Sequence, residues 1–196
     1  MTDLPPIILG SSSKTRKKLF NTLQLDFSVI SPDIDESPSP SEDAKSLSQR
    51  LALEKNIALR NKVSMPAILI SCDQTMLLNE EIIGKPRNSS DAIDIITRCS
   101  GQTAYFYTSL CVYDPLKEKT YACTVTTTVL YRAYTAETAV RYIQKENTLN
   151  AAGAIHCEGL GISLLQSIQS DDPNALLGLP LIELCGILNK IGVKSP

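Results

Sequence analysis

The sequence predicts an α/β fold in which short buried strands alternate with amphipathic helices. Apolar runs rich in isoleucine, at 7–9 and 67–71, have the length of buried strands and end in polar or turn residues. Between such runs, apolar residues recur at helical spacing. Two longer runs rich in Tyr, Thr and Val, 103–113 and 120–132, surround an Asp-Pro turn at 114–115 and predict an antiparallel hairpin.

Length and composition limit the classes of protein to which the chain can belong. Its 196 residues suit one domain, 1–196, or two intimately packed lobes. The net charge of −2 argues against a nucleic acid polymer as partner. No apolar run approaches the roughly 20 residues that span a bilayer, and MTDLPPIILG lacks the basic region and apolar core of a signal peptide. We therefore expect a cytoplasmic protein that does not enter the membrane.

The cysteine pattern also favours an intracellular protein. The chain has six cysteines, none of them in a C-x-x-C pair, and one histidine. This pattern excludes the usual zinc signatures and predicts buried, reduced thiols.

The segment after the first strand is a candidate phosphate-binding site. Gly10 and the serines 11–13 lead into a helix whose first turns carry basic residues at Lys14, Arg16, Lys17 and Lys18. Small hydroxyl residues can cap a helix start, but exposed amides and a positive dipole end also attract phosphate. The basic residues favour phosphate binding over capping alone. The motif G-x-x-x-x-G-K-[ST] is absent, so the chain is not a P-loop NTPase.

An acidic loop and a helix with a lysine on its apolar side follow the second strand, 27–31. Three carboxylates lie in 33–36, and the pattern Ser-Pro-Ser-Glu at 39–42 predicts a capping box with proline at the first helical position. In the helix that we expect next, Lys55 lies on the same apolar stripe as Leu47, Leu51 and Ala58. Such a lysine either snorkels to the surface or reaches into a cleft.

Residues 67–88 form the centre of the predicted fold. We expect a buried strand at 67–71, then Asp73 just past its end, then a hairpin over 76–83. Ligands of α/β proteins gather at the carboxyl ends of strands. Asp73 there, with Lys85 across the hairpin, indicates a site for a phosphorylated substrate or a metal. The alternative is that Asp73 caps a turn and Lys85 is a solvated loop lysine.

The second half of the chain supplies the remaining elements, which are helices starting at Ser89, after a Thr135 cap and at Pro180, and a strand over 162–165 and Ile168. Segment 150–159 is made of small residues except for His156 and Glu158. Small residues permit close approach of backbone to a ligand, but they equally fit a tight structural loop. A lone histidine in such a loop is more often structural than catalytic.

Several short motifs acquire meaning from their order and spacing. They are Gly10-Ser-Ser-Ser-Lys-Thr-Arg16, Asp33-Ile-Asp-Glu36, Arg50-Leu-Ala-Leu-Glu-Lys55, Cys72-Asp-Gln-Thr75, Gly84-Lys-Pro86, Gly153, Glu158-Gly-Leu-Gly161 and Gly178-Leu-Pro180. Together they resemble the Maf family of nucleoside triphosphate pyrophosphatases, over nearly the whole chain from Ile7 to about Ile191.

Within this family the sequence is similar to the branch that hydrolyses 7-methyl-GTP. The similarity rests on Asp73-Gln74, Phe106-Tyr-Thr108, Glu158-Gly-Leu-Gly-Ile-Ser163 and Asp172-Pro173. The pyrimidine branch typically has threonine after the catalytic aspartate and glutamine at the position of Glu158. The chain departs from the 7-methyl-GTP pattern at Thr15, where a tryptophan is usual, at Ala151, and at Ile155-His156.

The resemblance implies a mixed, twisted sheet with flanking helices, arranged as two lobes around a central cleft, and usually a homodimer. It also implies hydrolysis of a nucleoside triphosphate between the α- and β-phosphates, with Mg²⁺ or Mn²⁺ as the divalent metal cofactor. By position, it assigns catalysis to Asp73, Lys55 and Lys85, substrate binding to Ser11, Arg16, Thr15, Gln74 and Glu158, and metal binding to Glu36 and Asp73.

These residue types suit the chemistry without reference to the family. A triphosphate repels an attacking oxygen until its charge is neutralised, which lysine, arginine and a divalent cation can do while a carboxylate such as Asp73 activates the water. Carboxylate oxygens suit Mg²⁺ and Mn²⁺, whereas thiols do not. Two alternatives are the same reaction on dTTP, UTP or a methylated pyrimidine, and a nucleotide-binding regulator of cell division without significant hydrolysis.

Overall fold

The computed structural model describes residues 4–194. Within this range the chain forms one seven-stranded sheet and five α-helices. The strands are β1 (Ile7–Gly10), β2 (Phe27–Ile30), β3 (Ile68–Leu78), β4 (Glu81–Ile83), β5 (Thr103–Asp114), β6 (Lys119–Tyr131) and β7 (Leu165–Gln169). The helices are α1 (Lys14–Asn21), α2 (Ala44–Lys62), α3 (Ser89–Cys99), α4 (Ala136–Lys145) and α5 (Leu181–Lys190).

The sheet is mixed, which confirms the predicted α/β class. Its order is β2-β1-β3-β5-β6-β7, and β4 pairs with β3 outside this path. β1 is parallel to both β2 and β3, whereas β4 is antiparallel to β3 and β7 is antiparallel to β6. β5 and β6 are neighbours joined by the short connection 115–118, which is long enough only for an antiparallel pair.

Among the described residues, the first of two compact units contains 4–73, 108–125 and 172–194. Its larger core cluster joins residues of α1 and α5 to one face of the sheet, with Phe20 and Leu184 fully buried. A second cluster lies on the opposite face, where Leu59 of α2 meets Ile8 of β1. The two clusters are separate because neighbouring strand residues point to opposite faces.

The second compact unit contains segments 74–107 and 126–171. In it, α3 packs against α4 and against the short 3₁₀ turn Ala152–Ala154. Gly153 has φ +66°, and a Cβ there would lie 2.1 Å from Sδ of Met76. A side chain at this position is therefore excluded by both conformation and space, which favours a structural role for this part of the small-residue segment.

The predicted start of the second helix is wrong. α2 begins at Ala44, and its cap is Asp43, whose carboxylate accepts two backbone N–H groups of the first turn. Part of the capping pattern is present, since Glu42 accepts the backbone N–H of Ser39 at 2.9 Å. Ser41, however, has φ +62°, and a left-handed residue cannot continue a right-handed helix.

Two smaller expectations also change. The strand predicted to start at Ile162 starts at Leu165, because Leu160–Leu164 form a 3₁₀ helix in which the Ser163 hydroxyl donates to the Leu160 carbonyl at 2.8 Å. Thr135 occupies the predicted cap position of α4, but its side chain makes no capping hydrogen bond. In the part of the chain that the structure describes, no helix is both long enough and apolar enough to cross a membrane.

Candidate active site

A buried lysine between two carboxylates is the central feature of the first unit. Lys55 is 5% exposed, and its Nζ lies 2.6 Å from Oδ1 of Asp73 and 2.6 Å from Oε1 of Glu36. Asp73 is equally buried, whereas the Glu36 side chain is 44% exposed. Lys55 therefore does not snorkel to solvent, and the structure brings three of the predicted site residues together.

Helix α2 is locked against the sheet next to this cluster. Leu51 and Lys55 lie one turn apart on its buried side, as their spacing predicts. Asn56 is 1% exposed and donates through Nδ2 to the carbonyls of Leu69 at 3.0 Å and Cys111 at 3.3 Å. The role of Asn56 could not be predicted from the sequence, because a single buried amide belongs to no periodic pattern. It fixes the position from which Lys55 reaches Asp73.

Asp73 lies inside a strand, so its predicted position past a strand end is wrong. β3 continues from Ile68 to Leu78 without a break. The polar residues 73–75 interrupt the apolar pattern in the sequence, but the strand continues because Lys55 compensates the buried charge of Asp73. Gln74 is half-buried and, by strand alternation, points to the face opposite Asp73.

The serines before α1 act as local caps. The hydroxyl of Ser11, which is buried, accepts the backbone N–H of Ser13 at 3.1 Å, and the hydroxyl of Ser13 accepts that of Arg16 at 3.3 Å. Thr15 is half-buried in the same helical turn. Phosphate binding by these residues stays a prediction.

Arg16 connects α1 to the backbone beside Asp73. Its Nε donates to the carbonyl of Gly178 at 2.8 Å, and its Nη1 donates to the carbonyl of Cys72 at 2.9 Å. Because a guanidinium carries five N–H donors, these two bonds leave capacity for a phosphate. Burial raises the pKa of the Cys72 thiol to about 12, so the thiol is neutral at physiological pH.

Arg50 holds the acidic loop that carries Glu36. Its Nε and Nη2 each lie 2.8 Å from a carboxylate oxygen of Glu42, and Nη2 also donates to the carbonyl of Ser37 at 3.0 Å. The hydrogen bonds from Arg50, and after them the bond from the backbone N–H of Ser39, lower the pKa of Glu42 to about 2. No role was predicted for Arg50, although its i,i+4 spacing from Glu54, with which it pairs at 3.0 Å, is visible in the sequence.

The remaining predicted residues belong to the second unit. Lys85 is exposed in the loop after β4, next to Gly84, whose carbonyl accepts the N–H of Gly153 at 3.2 Å. Glu158 is also exposed, and its Oε2 lies 3.9 Å from Sγ of Cys157. The roles assigned to Gln74, Lys85 and Glu158 stay predictions.

His156 takes a structural position. Its backbone N–H donates to the hydroxyl of Tyr142 at 3.0 Å, and its Nδ1 lies 3.6 Å from Oε1 of Glu146. The expectation that the lone histidine is structural rather than catalytic stays a prediction.

All six cysteines are free. Cys72, Cys99 and Cys111 are buried, and the other three are partly buried. Burial raises the pKa of Cys99 to about 12 and that of Cys111 to about 11. The six free cysteines agree with the predicted reduced thiols, whereas the predicted burial holds for three of them.

The described chain is thus an α/β protein whose mixed sheet carries a buried lysine–carboxylate cluster. It belongs to the family of Maf-like proteins, which it matches over residues 6–191. The matched range includes every residue of the predicted site.

The similarity to known proteins extends over almost the whole chain. A 7-methyl-GTP pyrophosphatase of Colwellia psychrerythraea is 39% identical, with 95% of this chain and 93% of the relative covered. A 7-methyl-GTP pyrophosphatase of Methylobacillus flagellatus is 41% identical, with 97% and 98% covered. Among solved structures, the Staphylococcus aureus Ham1 protein matches with a TM-score of 0.45 and 16% identity, over 64% of this chain and 71% of that chain.

Proposed function

We propose that the chain is a Maf-type nucleoside triphosphate pyrophosphatase and that 7-methyl-GTP is its substrate. The relatives with that name, at about 40% identity over nearly their full length, support the activity. The observation in the chain that carries the proposal is Lys55, buried between Asp73 and Glu36. A buried cation with two carboxylates provides both a base for water and a positive charge for phosphate.

In the proposed reaction, the Asp73 carboxylate accepts a proton from the water that attacks the α-phosphorus. The bond from the α-phosphorus to the bridging oxygen breaks, and pyrophosphate leaves with that oxygen. Lys55 orients the Asp73 carboxylate and, with Ser11, Arg16 and Lys85, holds phosphate oxygens. Positioning and charge neutralisation of this kind supply most of the catalysis in phosphoryl transfer.

The donor set at this site fits a hard divalent cation. Within residues 4–194, no three His, Cys, Asp or Glu side chains form a metal site by themselves. Mg²⁺ is nevertheless often bound by one or two carboxylates, with water and substrate phosphates as the other ligands. Glu36 and Asp73 would hold Mg²⁺ or Mn²⁺, which would neutralise phosphate charge. Both carboxylates already meet one cation, the ammonium of Lys55.

Base recognition is assigned to Glu158 and Gln74. Guanine presents two donors, N1–H and its N2 amino group, which one carboxylate accepts together. Methylation at N7 adds positive charge, which a carboxylate stabilises and a glutamine amide does not. Thr15 cannot stack on a cationic purine as an aromatic ring would. We therefore expect a preference for 7-methyl-GTP that is looser than in relatives with the aromatic residue.

The proposal includes three features of the whole protein. We propose that residues 1–196 act as a single Maf-like domain, that the chain forms a homodimer, and that it works in the cytoplasm. The near-complete length of the match supports the single domain. Sedimentation of the purified protein would test the homodimer.

The test measures kcat/KM for 7-methyl-GTP, GTP, dTTP and UTP by pyrophosphate release with Mg²⁺ or Mn²⁺. Wild type should prefer 7-methyl-GTP, and Glu158→Gln should erode that preference by about 1–3 kcal/mol, the worth of one charged hydrogen-bonding partner. Glu118→Gln, in the exposed turn 115–118, is the matched control and should leave the ranking unchanged. A preference for a pyrimidine would favour the first alternative, and nucleotide binding without pyrophosphate release would favour the regulator.

A further inference from the structure

A single carboxylate contacts the chain on both sides of Glu158, at a backbone N–H on one side and at a histidine side chain on the other. Glu146 follows the last residue of α4, and its side chain is 19% exposed. Its Oε2 accepts the backbone N–H of Leu160 at 2.7 Å. Its Oε1 lies 3.6 Å from Nδ1 of His156. Glu146 therefore bridges residues two positions before and two positions after Glu158.

Gly159 shows how closely this carboxylate approaches the segment. A Cβ at Gly159 would lie 2.1 Å from Oε1 of Glu146, which is far inside van der Waals contact. A side chain there would displace the carboxylate and break its bond to Leu160. The carboxylate of Glu146 therefore packs directly against the backbone of the residue that follows Glu158.

A second acceptor on α4 supports the same segment. Tyr142 lies one turn before Glu146, on the same side of the helix. It is 5% exposed, and its hydroxyl accepts the backbone N–H of His156 at 3.0 Å. The end of α4 thus presents two neighbouring acceptors to segment 156–160. The segment is not part of a strand, so these two acceptors connect it to the end of α4.

We propose that Glu146 is a positioning residue for base selection, which fixes segment 156–160 and thereby the orientation of Glu158. It acts through the backbone of that segment and does not touch the substrate. This inference rests on the proposed function, because it assumes that Glu158 reads the base. A carboxylate selects a base only when its two oxygens are held in one orientation, since misplacement forfeits the paired hydrogen bonds.

The first experiment is a double-mutant cycle with 7-methyl-GTP and GTP. Glu146→Ala should lower the ratio of the two kcat/KM values by about tenfold, the scale of one charged hydrogen bond. The kcat for GTP should change little. Combined with Glu158→Gln, Glu146→Ala should add almost nothing, because both substitutions remove one interaction. Equal losses for both nucleotides, or additive effects on the ratio, would overturn the proposal.

Glu146→Gln keeps an acceptor for the Leu160 N–H and should retain most of the preference. It also keeps the test valid if Glu146→Ala does not fold. Glu137→Gln, in the exposed first turn of α4, is the matched control and should behave as wild type. A Glu146→Gln variant with no preference at all would show that charge, rather than positioning of the backbone, is what matters.

A second experiment does not depend on activity. Cys157 lies inside the segment, and burial first, then Glu158, raises the pKa of its thiol to about 12. Iodoacetamide labelling, followed by peptide mass spectrometry, should show faster modification of Cys157 in Glu146→Ala, with Cys99 as the buried internal control. An unchanged Cys157 rate would refute the positioning role even if 7-methyl-GTP is the substrate. Wild type without preference for 7-methyl-GTP, but with Cys157 freed in the variant, would instead refute the proposed function.

Discussion

Two segments that carry predicted site carboxylates are held in different ways. The acidic loop with Glu36 is bound by Arg50 through the carboxylate of Glu42 and the carbonyl of Ser37. Glu36 itself meets the ammonium of Lys55 at 2.6 Å. The carboxylate of Glu146 and the hydroxyl of Tyr142 each accept a backbone N–H of segment 156–160, and Glu158 itself is exposed.

The difference suggests a division of work between these carboxylates. Arg50 and Lys55 of α2 and Asp73 of β3 support the acidic loop and Glu36 through several contacts between opposite charges, so we expect the cluster around Lys55 to keep its geometry whichever nucleotide binds. Segment 156–160 accepts support from one neutral hydroxyl and one carboxylate, so we expect substitutions to change its geometry more easily. We therefore expect substitutions around Lys55 to alter turnover and stability, whereas those around Glu158 alter the ranking of nucleotides.

The largest expected effect is at Asp73. Asp73→Asn keeps the shape of the side chain but cannot accept a proton, so kcat should fall by roughly 10²–10⁴, the range for a lost general base. The ranking of nucleotides should not change. Pyrophosphate release measures the loss, and Asp94→Asn on the exposed side of α3 is the control. Near-normal turnover in a folded Asp73→Asn protein would remove Asp73 from the mechanism.

Substitutions of Lys55 and Lys85 should differ in their effect on the free energy of unfolding, although both should lower kcat/KM. Lys55→Met leaves the buried Asp73 without its cation, so the free energy of unfolding should fall by about 3 kcal/mol, near the lower end for a broken buried pair because Glu36 is half-exposed. Lys85 is exposed, so Lys85→Ala should change stability by no more than about 0.5 kcal/mol.

Both lysine variants should lose kcat/KM if both lysines hold phosphate. Urea unfolding and pyrophosphate release, measured on the same preparations, give the two quantities. A Lys85→Ala variant with wild-type kinetics would return Lys85 to the role of a solvated loop residue.

The smallest expected effect concerns Glu42 at acid pH. Its pKa is about 2 in the folded protein, mainly because Arg50 donates to it, against an ordinary value of 4.5. Its contribution to stability is therefore complete above pH 4.5 and is lost as the pH falls through 2. The difference in unfolding free energy between wild type and Glu42→Gln should be constant above pH 5 and shrink below it. A difference that persists unchanged at pH 2 would contradict this account, and Glu118→Gln should show no such trend.

The sequence alone determined the class of fold and most of its elements. Hydrophobic periodicity predicted the helix α2 and put Lys55 on its buried side. The two strand-like runs on either side of the turn at 114–115 predicted the long hairpin of β5 and β6. The order of short motifs was sufficient to indicate the family that the comparison with known proteins shows. These features are readable because periodicity and turn chemistry are local properties of the chain.

Only the tertiary structure decided where certain polar side chains lie in the fold and which groups they bind. The polar run 73–75 is a strand interruption in the sequence, but Lys55, eighteen positions earlier, compensates Asp73 and lets β3 continue. Likewise, no local pattern connects Glu146 to Leu160, fourteen positions later. The positive φ of Ser41, which moves the start of α2 to Ala44, is equally unreadable from its neighbours. The first two outcomes depend on a charge or contact supplied from elsewhere in the chain, because a buried polar group needs a partner wherever the fold can supply one.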